Sequence, residues 1–335
     1  MAKIAAEVAH DLCGAGGSAE AALPVSVAVH RLFRAGLLET IEEAALRSVL
    51  EFHGPRLCDL RIEDVCTGDF FTAVRLNDGS QGVAINFNNV SGPHRTSFNH
   101  RHYDHLLRRL LVTDELLLET FLRQSELDCL GQSVRVAVLN ALSRPMLNQE
   151  RLQTAHGLDL HDGYLDLASF FQPSDTVAMI GCTGNYSCRE VGRLSDTGTI
   201  YFSDFEYVDP FKEGIIECIR QNFVDPGKVV LSAGQDNEAI CRKADVVVMI
   251  SDTLCTNTLD ELLIWSSNAR EVLITGRSYA MDPIHLFERG ASGITTQRII
   301  HPDFIGFVRD KIQQGEFGFT DRLVPCFQRM FVTPG

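Results

Sequence analysis

At 335 residues the chain is long enough for two domains, and at 45% hydrophobic content it can fill two cores. Its 30 Lys and Arg stand against 44 Asp and Glu, a net charge of -14 that repels a phosphate backbone and removes nucleic acid from the expected partners. No apolar run is long enough to span a bilayer, and the N-terminus MAKIAAEVAHD carries early acids and no signal-peptide core, so no membrane partner is expected and the expected compartment is the cytoplasm.

Residues 1–23 are rich in Ala and Gly and read as a helix and a loose arm ending at Pro24. From Val25 to Phe52 apolar residues recur at helical spacing, through Val29, Leu32, Phe33, Leu37, Ile41, Leu46 and Leu50, with a break near Gly36. Two helices packed on a flat partner are predicted. The partner follows directly: Leu57 to Val65 is strand-like, and FFTAVRLNDGSQGVAINF alternates about an Asn-Asp-Gly turn, the clearest hairpin signal in the chain. Three antiparallel strands with helices on one face make a small α+β domain, assigned to residues 1–130.

The stretch NVSGPHRTSFNHRHYDH is polar and rich in histidine. His100, His102 and His105, with His94 and Asp104 nearby, are the candidate metal ligands, because neutral imidazole and carboxylate suit a transition metal. On a helix His102 and His105 share a face, on a strand His100 and His102 do, and a solvated loop leading into a helix accounts for the stretch equally. Residues 104–142 are predicted helical, with Thr113 and Asp114 as a start signal and GQSVRVAVLNALS as a uniformly apolar helix buried between layers. Residues 143–173, punctuated by Pro145, Gly157, Gly163 and Pro173, read as an irregular crossing. Within it His156, Asp159, His161, Asp162 and Asp166 form a second candidate ligand cluster.

The second domain, residues 131–335, is organised around VAMIGCTGNY at 177–186, an apolar run that stops in a glycine turn. TIYFSD, KVVLSAG, DVVVMISDT and EVLITGRS repeat the arrangement with helix-length connections between them. This predicts an α/β fold with a doubly wound, mainly parallel sheet whose ligands lie beyond the carboxyl ends of the strands. Gly181 and Gly184 form GxxG, short of the GxGxxG fingerprint, yet Asp204 closes the second strand 23 residues after Gly181, where an acid takes ribose hydroxyls. With Thr183, Asn185 and Tyr186 in the same turn, the expected ligand is adenosyl- or nucleotide-like and not a dinucleotide.

In SDTLCTNTLDELL, Thr258 and Glu261 are spaced as a capping box. Ser251, Thr253, Thr256 and Asn257 crowd the start of the same helix, where N–H groups and hydroxyls could hold an anionic group. Asp252 at the strand end is the candidate general base, with cation binding as the alternative. Ten cysteines are scattered without any CxxC pair and read as free thiols; Cys182, Cys188 and Cys255 fall near strand ends, where a small residue fitting a tight loop is favoured over a ligand or nucleophile.

The run from DVVVMISDTLCTNTLDELL to FERGASGI, the earlier GQSVRVAVLNALS and the hairpin FTAVRLNDGSQGVAI together resemble the heavy-metal chelation domain family over residues 60–320, most specifically in TNTLDELL followed by EVLITG. The resemblance implies an enolase N-terminal-like α+β domain followed by a Rossmann-like domain similar to methyltransferases, a site where the two meet, and a link to small-molecule metal chelators. The expectation is therefore an enzyme of transferase or lyase type that makes or modifies a metallophore-like chelator. It would bind an adenosyl-, pterin- or amino-acid-like ligand between the domains, with an S-adenosylmethionine-like or nucleotide-like ligand and a transition metal as the cofactor candidates. The alternatives are a non-catalytic ligand sensor and a metal-binding or delivery protein, the latter motivated by ten thiols, eleven histidines and the acidic balance. A homodimer is the default assembly.

Overall fold

The hairpin turn sets the small sheet. Asp78 accepts the Ser80 amide at 2.8 Å, and the Leu76 carbonyl accepts the Gly79 amide at 3.0 Å, so the chain reverses over four residues. In the computed structural model, which describes residues 38–67, 71–86, 122, 129–181, 186–194, 196–204, 216–217, 219–313 and 326–335, this turn joins β2 (Phe71–Leu76) to β3 (Gln81–Ile85), and β1 (Ile62–Thr67) pairs antiparallel with the other edge of β2. The strand predicted to begin at Leu57 begins later. Gly54–Asp59 forms a 3-10 helix, because Pro55 fixes the first turn after α1 (Ile41–His53). α1 itself starts in a reciprocal cap, the Glu43 amide donating to Thr40 Oγ1 at 3.1 Å and the Thr40 amide to Glu43 Oε2 at 2.7 Å.

Both faces of this sheet are covered, not one. Val74 and Ala84 join the core that contains α2 (Cys129–Ser143), while Ala73 and Val83 pack with Ile305 and Val308 of α8 (Phe304–Gln313). FTAVRL and QGVAI are apolar on both faces, which suits burial on two sides. α2 lies directly on β3: a Cβ at Gly82 would stand 1.9 Å from the Ala137 carbonyl oxygen and 2.5 Å from the Ala141 amide, so only glycine fits. As predicted, this apolar helix is buried between layers, for Val134, Ala137 and Leu142 share one core with Val247 and Ile274 of the large sheet.

The large sheet has eight strands in the order β4 (Leu158–Asp162), β11 (Phe327–Pro334), β10 (Gly293–Ile299), β9 (Glu271–Thr275), β8 (Val246–Ile250), β5 (Val177–Ile180), β6 (Ile200–Asp204), β7 (Val229–Ala233). From β7 to β10 all neighbours are parallel, so the six strands stand in the 3-2-1-4-5-6 order of a doubly wound fold. The five predicted strands are all present. The sixth, β10, reads as polar in GITTQRI, and β11 and β4 extend the sheet antiparallel. The crossing predicted to be irregular at 143–173 contains α3 (Gln149–His156), capped where Asn148 accepts the Arg151 amide at 2.9 Å, and the edge strand β4. A five-residue, half-polar edge strand carries too little apolar pattern to show itself in sequence. Helices α4 (Tyr186–Gly192), α5 (Asn237–Lys243), α6 (Leu259–Trp265) and α7 (Ile284–Phe287) complete the connections described.

The first of the two N-terminal helices predicted, the His100–His105 segment and the helices predicted between 104 and 128, apart from helical Leu122, lie outside the described residues. Among the described residues no helix is long and apolar enough to cross a membrane.

Candidate functional site

Strand order reverses between β5 and β8, so the connections leaving these two strands diverge and open a crevice beyond their carboxyl ends. Gly181 closes β5 with φ 66° and backs onto Ile250 at the end of β8, while its amide donates to the Ser203 carbonyl at 2.7 Å. Asp204 closes β6 opposite Ala233 of β7 on the same sheet edge, and Tyr186 opens α4. Thr183, Gly184 and Asn185 lie outside the described residues.

β8 runs straight into the turn 251–258, which is wound on its own hydroxyls. Thr253 Oγ1 donates to the Ile250 carbonyl at 2.7 Å. Thr256 and Thr258 both turn their hydroxyls onto the Thr253 carbonyl, at 3.1 and 3.3 Å, and lie 3.0 Å from each other. Asn257 takes the left-handed conformation, φ 57°, that lets the chain double back. The predicted capping box does not form. Thr258 sits at the N-cap of α6 with helical backbone, φ -109° and ψ -10°, and its hydroxyl is turned away from the helix amides. Thr253, Thr256, Asn257 and Thr258 thus shape the turn that presents Asp252.

Asp252 Oδ1 accepts from Ser278 Oγ at 2.7 Å, and the same hydroxyl oxygen accepts the Ile85 amide at 3.0 Å. The Ser278 amide donates to Ser251 Oγ at 3.1 Å. These contacts need the loop after β9 to press against the end of β8, and Gly276 allows it: at φ 129°, a Cβ there would lie 2.4 Å from Ser251 Oγ. Asn140 of α2 completes the joint. Its Nδ2 donates to the Val83 carbonyl at 2.9 Å and the Ser278 carbonyl at 3.0 Å, and its Oδ1 accepts the Ala280 amide at 2.8 Å. The small sheet, the central helix and the strand-end loops are therefore held together at one buried amide. Nothing in the rim of loops singles out Asn140 in sequence, but a lone amide inside VRVAVLNALS must find partners if buried, and that is the signal it carries.

Arg277, between these contacts, has the rings of Phe71 and Phe327 5.9 and 5.3 Å from its guanidinium carbon. Burial pushes its guanidinium below the ordinary value, against the charge of Asp252. Below the 251–258 turn, Glu42 of α1 is bonded by Arg135 and Gln132 of α2, and Gln132 Nε2 also donates to the Leu254 carbonyl at 3.3 Å. Burial pushes the Glu42 carboxyl up to about 7 although Arg135 opposes it. Asp260, which accepts the Ile41 amide at 2.9 Å, is pushed up to about 6 by burial against the pull of Arg289.

The second ligand cluster expected from sequence is dispersed. His156 pairs with Asp282 at 3.2 Å, Asp159 with Gln149 at 3.2 Å and Asp162 with Gln328 at 2.8 Å, while His161 stacks on Phe331 and Asp166 caps its own turn. Among the described residues no group of three or more His, Cys, Asp or Glu side chains could hold a metal ion. Cys241 and Cys255 are fully buried, and burial pushes the Cys241 thiol up to about 11, as befits a small core residue.

Two family profiles, both described as "Putative heavy-metal chelation", match the chain: DUF4213 over residues 51–143 and DUF364 over residues 165–318. Among solved structures, a DUF364-family protein of unknown function from Pyrococcus horikoshii has a TM-score of 0.58 at 16% identity, covering 87% of this chain and 99% of that one. Another, from Desulfitobacterium hafniense DCB-2, has a TM-score of 0.54 at 14% identity, covering 86% and 98%. At such identities the likeness is one of fold. No curated protein matches the chain. The first profile takes in the small sheet and the helix that lies on it, the second takes in the parallel strands and the turn that carries Asp252, and the chain belongs to the family these two profiles describe.

Proposed function

We propose that the protein is an enzyme that makes or modifies a small metal-chelating metabolite, with its ligand held at the carboxyl edge of the parallel sheet where the small sheet closes over it. The observation that carries this reading is the contact chain from the Ile85 amide through Ser278 Oγ to Asp252: a strand-end carboxylate beside the switch point is oriented by a hydroxyl that the small sheet itself fixes. In this reading Asp252 is the general base, of use to a transferase or lyase that must remove a proton, and Ser278 positions it. The turn after Gly181 and the Asp204 carboxylate would take an adenosyl- or nucleotide-like ligand, Asp204 at its ribose hydroxyls. Tyr186, Ser251, Thr253, Thr256, Asn257 and Thr258 would build the walls on either side. The family description supplies the link to chelators.

Thermal-shift titration with S-adenosylmethionine, S-adenosylhomocysteine and adenine nucleotides tests the ligand class. The expected result is stabilisation of the wild type by at least one of them and its loss in Asp204→Ala. Absence of any shift in the wild type removes the adenosyl reading.

A further inference from the structure

One cleft lies beside the crevice described above and does not depend on what that crevice binds. It opens to solvent, shallow, where β3, the C-terminal end of α2, the loop after β9 and the end of β10 meet. Gly82, Asn140, Arg144, Arg277, Gln297 and Arg298 are among the residues that line it. Among the described residues no Asp or Glu lines it. In a chain with a net charge of -14, three guanidinium groups without a carboxylate among the lining side chains form a local inversion of sign.

The commitments of the three differ. Arg298 Nη2 donates to the Leu147 carbonyl at 2.5 Å, and Arg144 Nη1 reaches the Gly79 carbonyl only at 3.5 Å. Neither forms an ion pair among the described residues. Arg277 has neither a hydrogen bond nor an ion pair there; it lies beside the two aromatic rings and feels the charge of Asp252. A fourth polar group in the lining is also unpartnered: the Gln297 side-chain oxygen is buried without a hydrogen bond. A buried acceptor without a donor costs about 1–3 kcal/mol, which a ligand N–H or O–H would relieve.

We propose that this cleft binds a small polycarboxylate bearing a hydroxyl or amino group next to its carboxylates. The planar forks of Arg277, Arg144 and Arg298 match carboxylate oxygens two at a time. Gln297 Oε1 accepts from the ligand's hydroxyl or amine. Hydroxy- and amino-polycarboxylates bind metal ions through these same oxygens and nitrogens, which is the chemistry the family description names.

Isothermal titration calorimetry of the full chain with citrate, tricarballylate, which is citrate without its hydroxyl, and inorganic phosphate tests the proposal. Citrate is expected to bind at one site, more tightly than either tricarballylate or phosphate. Arg277→Gln and Arg144→Gln should each weaken citrate roughly tenfold or more. Arg144, whose one contact is at 3.5 Å, carries the test even if Arg277→Gln does not fold. Gln297→Leu should bring citrate down to the affinity of tricarballylate and leave tricarballylate unchanged. Absence of heat with citrate overturns the proposal, as does citrate affinity unaltered in Arg144→Gln, and phosphate bound as tightly as citrate overturns the carboxylate assignment. None of these outcomes bears on the nucleoside titrations, so the two readings fail separately.

Discussion

Ser278 Oγ donates to Asp252 across 2.7 Å while accepting the Ile85 amide at 3.0 Å, so one hydroxyl couples the strand-end carboxylate to the edge of the small sheet. Ser278→Ala removes both bonds at once and leaves the Ile85 amide without its acceptor. The expected cost is about 2 kcal/mol of unfolding free energy by urea denaturation. Ser278→Thr, which keeps the oxygen, should recover part of it. A wild-type stability in the alanine variant would show that water replaces the hydroxyl and that Asp252 is not held from the small sheet.

Gly79 and Gly82 lie three residues apart in the same hairpin and should respond very differently to a methyl group. At Gly82 the new Cβ would enter the Ala137 carbonyl, and backbone cannot swing aside as a side-chain tip can. Gly82→Ala should cost about 3 kcal/mol or more, by forcing α2 off β3. At Gly79 nothing lies within 4 Å, and only the positive φ of 83° opposes the change, so Gly79→Ala should cost about 1 kcal/mol. Thermal unfolding of the two variants side by side gives the ratio, and equal losses would mean that α2 does not rest on β3.

Much of this was legible in sequence, for reasons that can be named. The hairpin followed from Asn77, Asp78 and Gly79, whose turn chemistry is local, and five parallel strands followed from apolar runs such as VVVMI that suit strands buried on both faces. β4 and β10 were hidden because LDLHD and GITTQRI mix polar residues into strands at or near the sheet's antiparallel end. Thr258 and Glu261 had the spacing of a capping box, but spacing does not report backbone conformation, and Asn257 turns the chain so that Thr258 cannot cap. Strand-end residues such as Asp252 and Arg277 could be listed from the pattern of the fold. Their partners could not: Ser278 meets Asp252 through the pairing of β8 with β9, and Arg144, Arg277 and Arg298 converge from three separate elements.

Glu42 gives stability a pH dependence of definite sign. Its carboxyl is raised from 4.5 to about 7 in the folded chain, so the folded state holds a proton that the unfolded state releases. Below about pH 4.5 both states are protonated and the burial of Glu42 carries no ionisation cost. As pH rises from 4.5 to 7 the unfolded chain ionises first, and stability falls by on the order of 3 kcal/mol before levelling. Asp260, raised from 3.8 to about 6, adds a fall of the same sign over a slightly more acidic window. Asp175 acts oppositely: the Arg270 guanidinium holds its carboxyl below the ordinary value, so its contribution is present above 3.8 and lost as pH drops below it. The difference between wild type and Glu42→Gln isolates the first effect. Urea midpoints of the two proteins at pH 5 and pH 8 should diverge, with the variant gaining relative to wild type at the higher pH, and parallel midpoints would show that Glu42 titrates normally.

Asp282 is 1% exposed and is met by two side chains from α3, Arg151 Nη2 at 2.9 Å and His156 Nε2 at 3.2 Å. Removing either partner of a buried pair leaves a charge with the full cost of its desolvation, whereas removing both charges together is far milder. Arg151→Ala should therefore destabilise by about 3 kcal/mol, the lower end of the usual range because His156 remains, and part of that loss reflects the Phe52 ring 5.5 Å from the guanidinium. Asp282→Asn in the same background should restore about half of it by discharging the orphan. Urea denaturation of the single and double variants at one pH measures both effects, and a double variant no more stable than Arg151→Ala would show that an orphaned Asp282 charge is not the source of the loss.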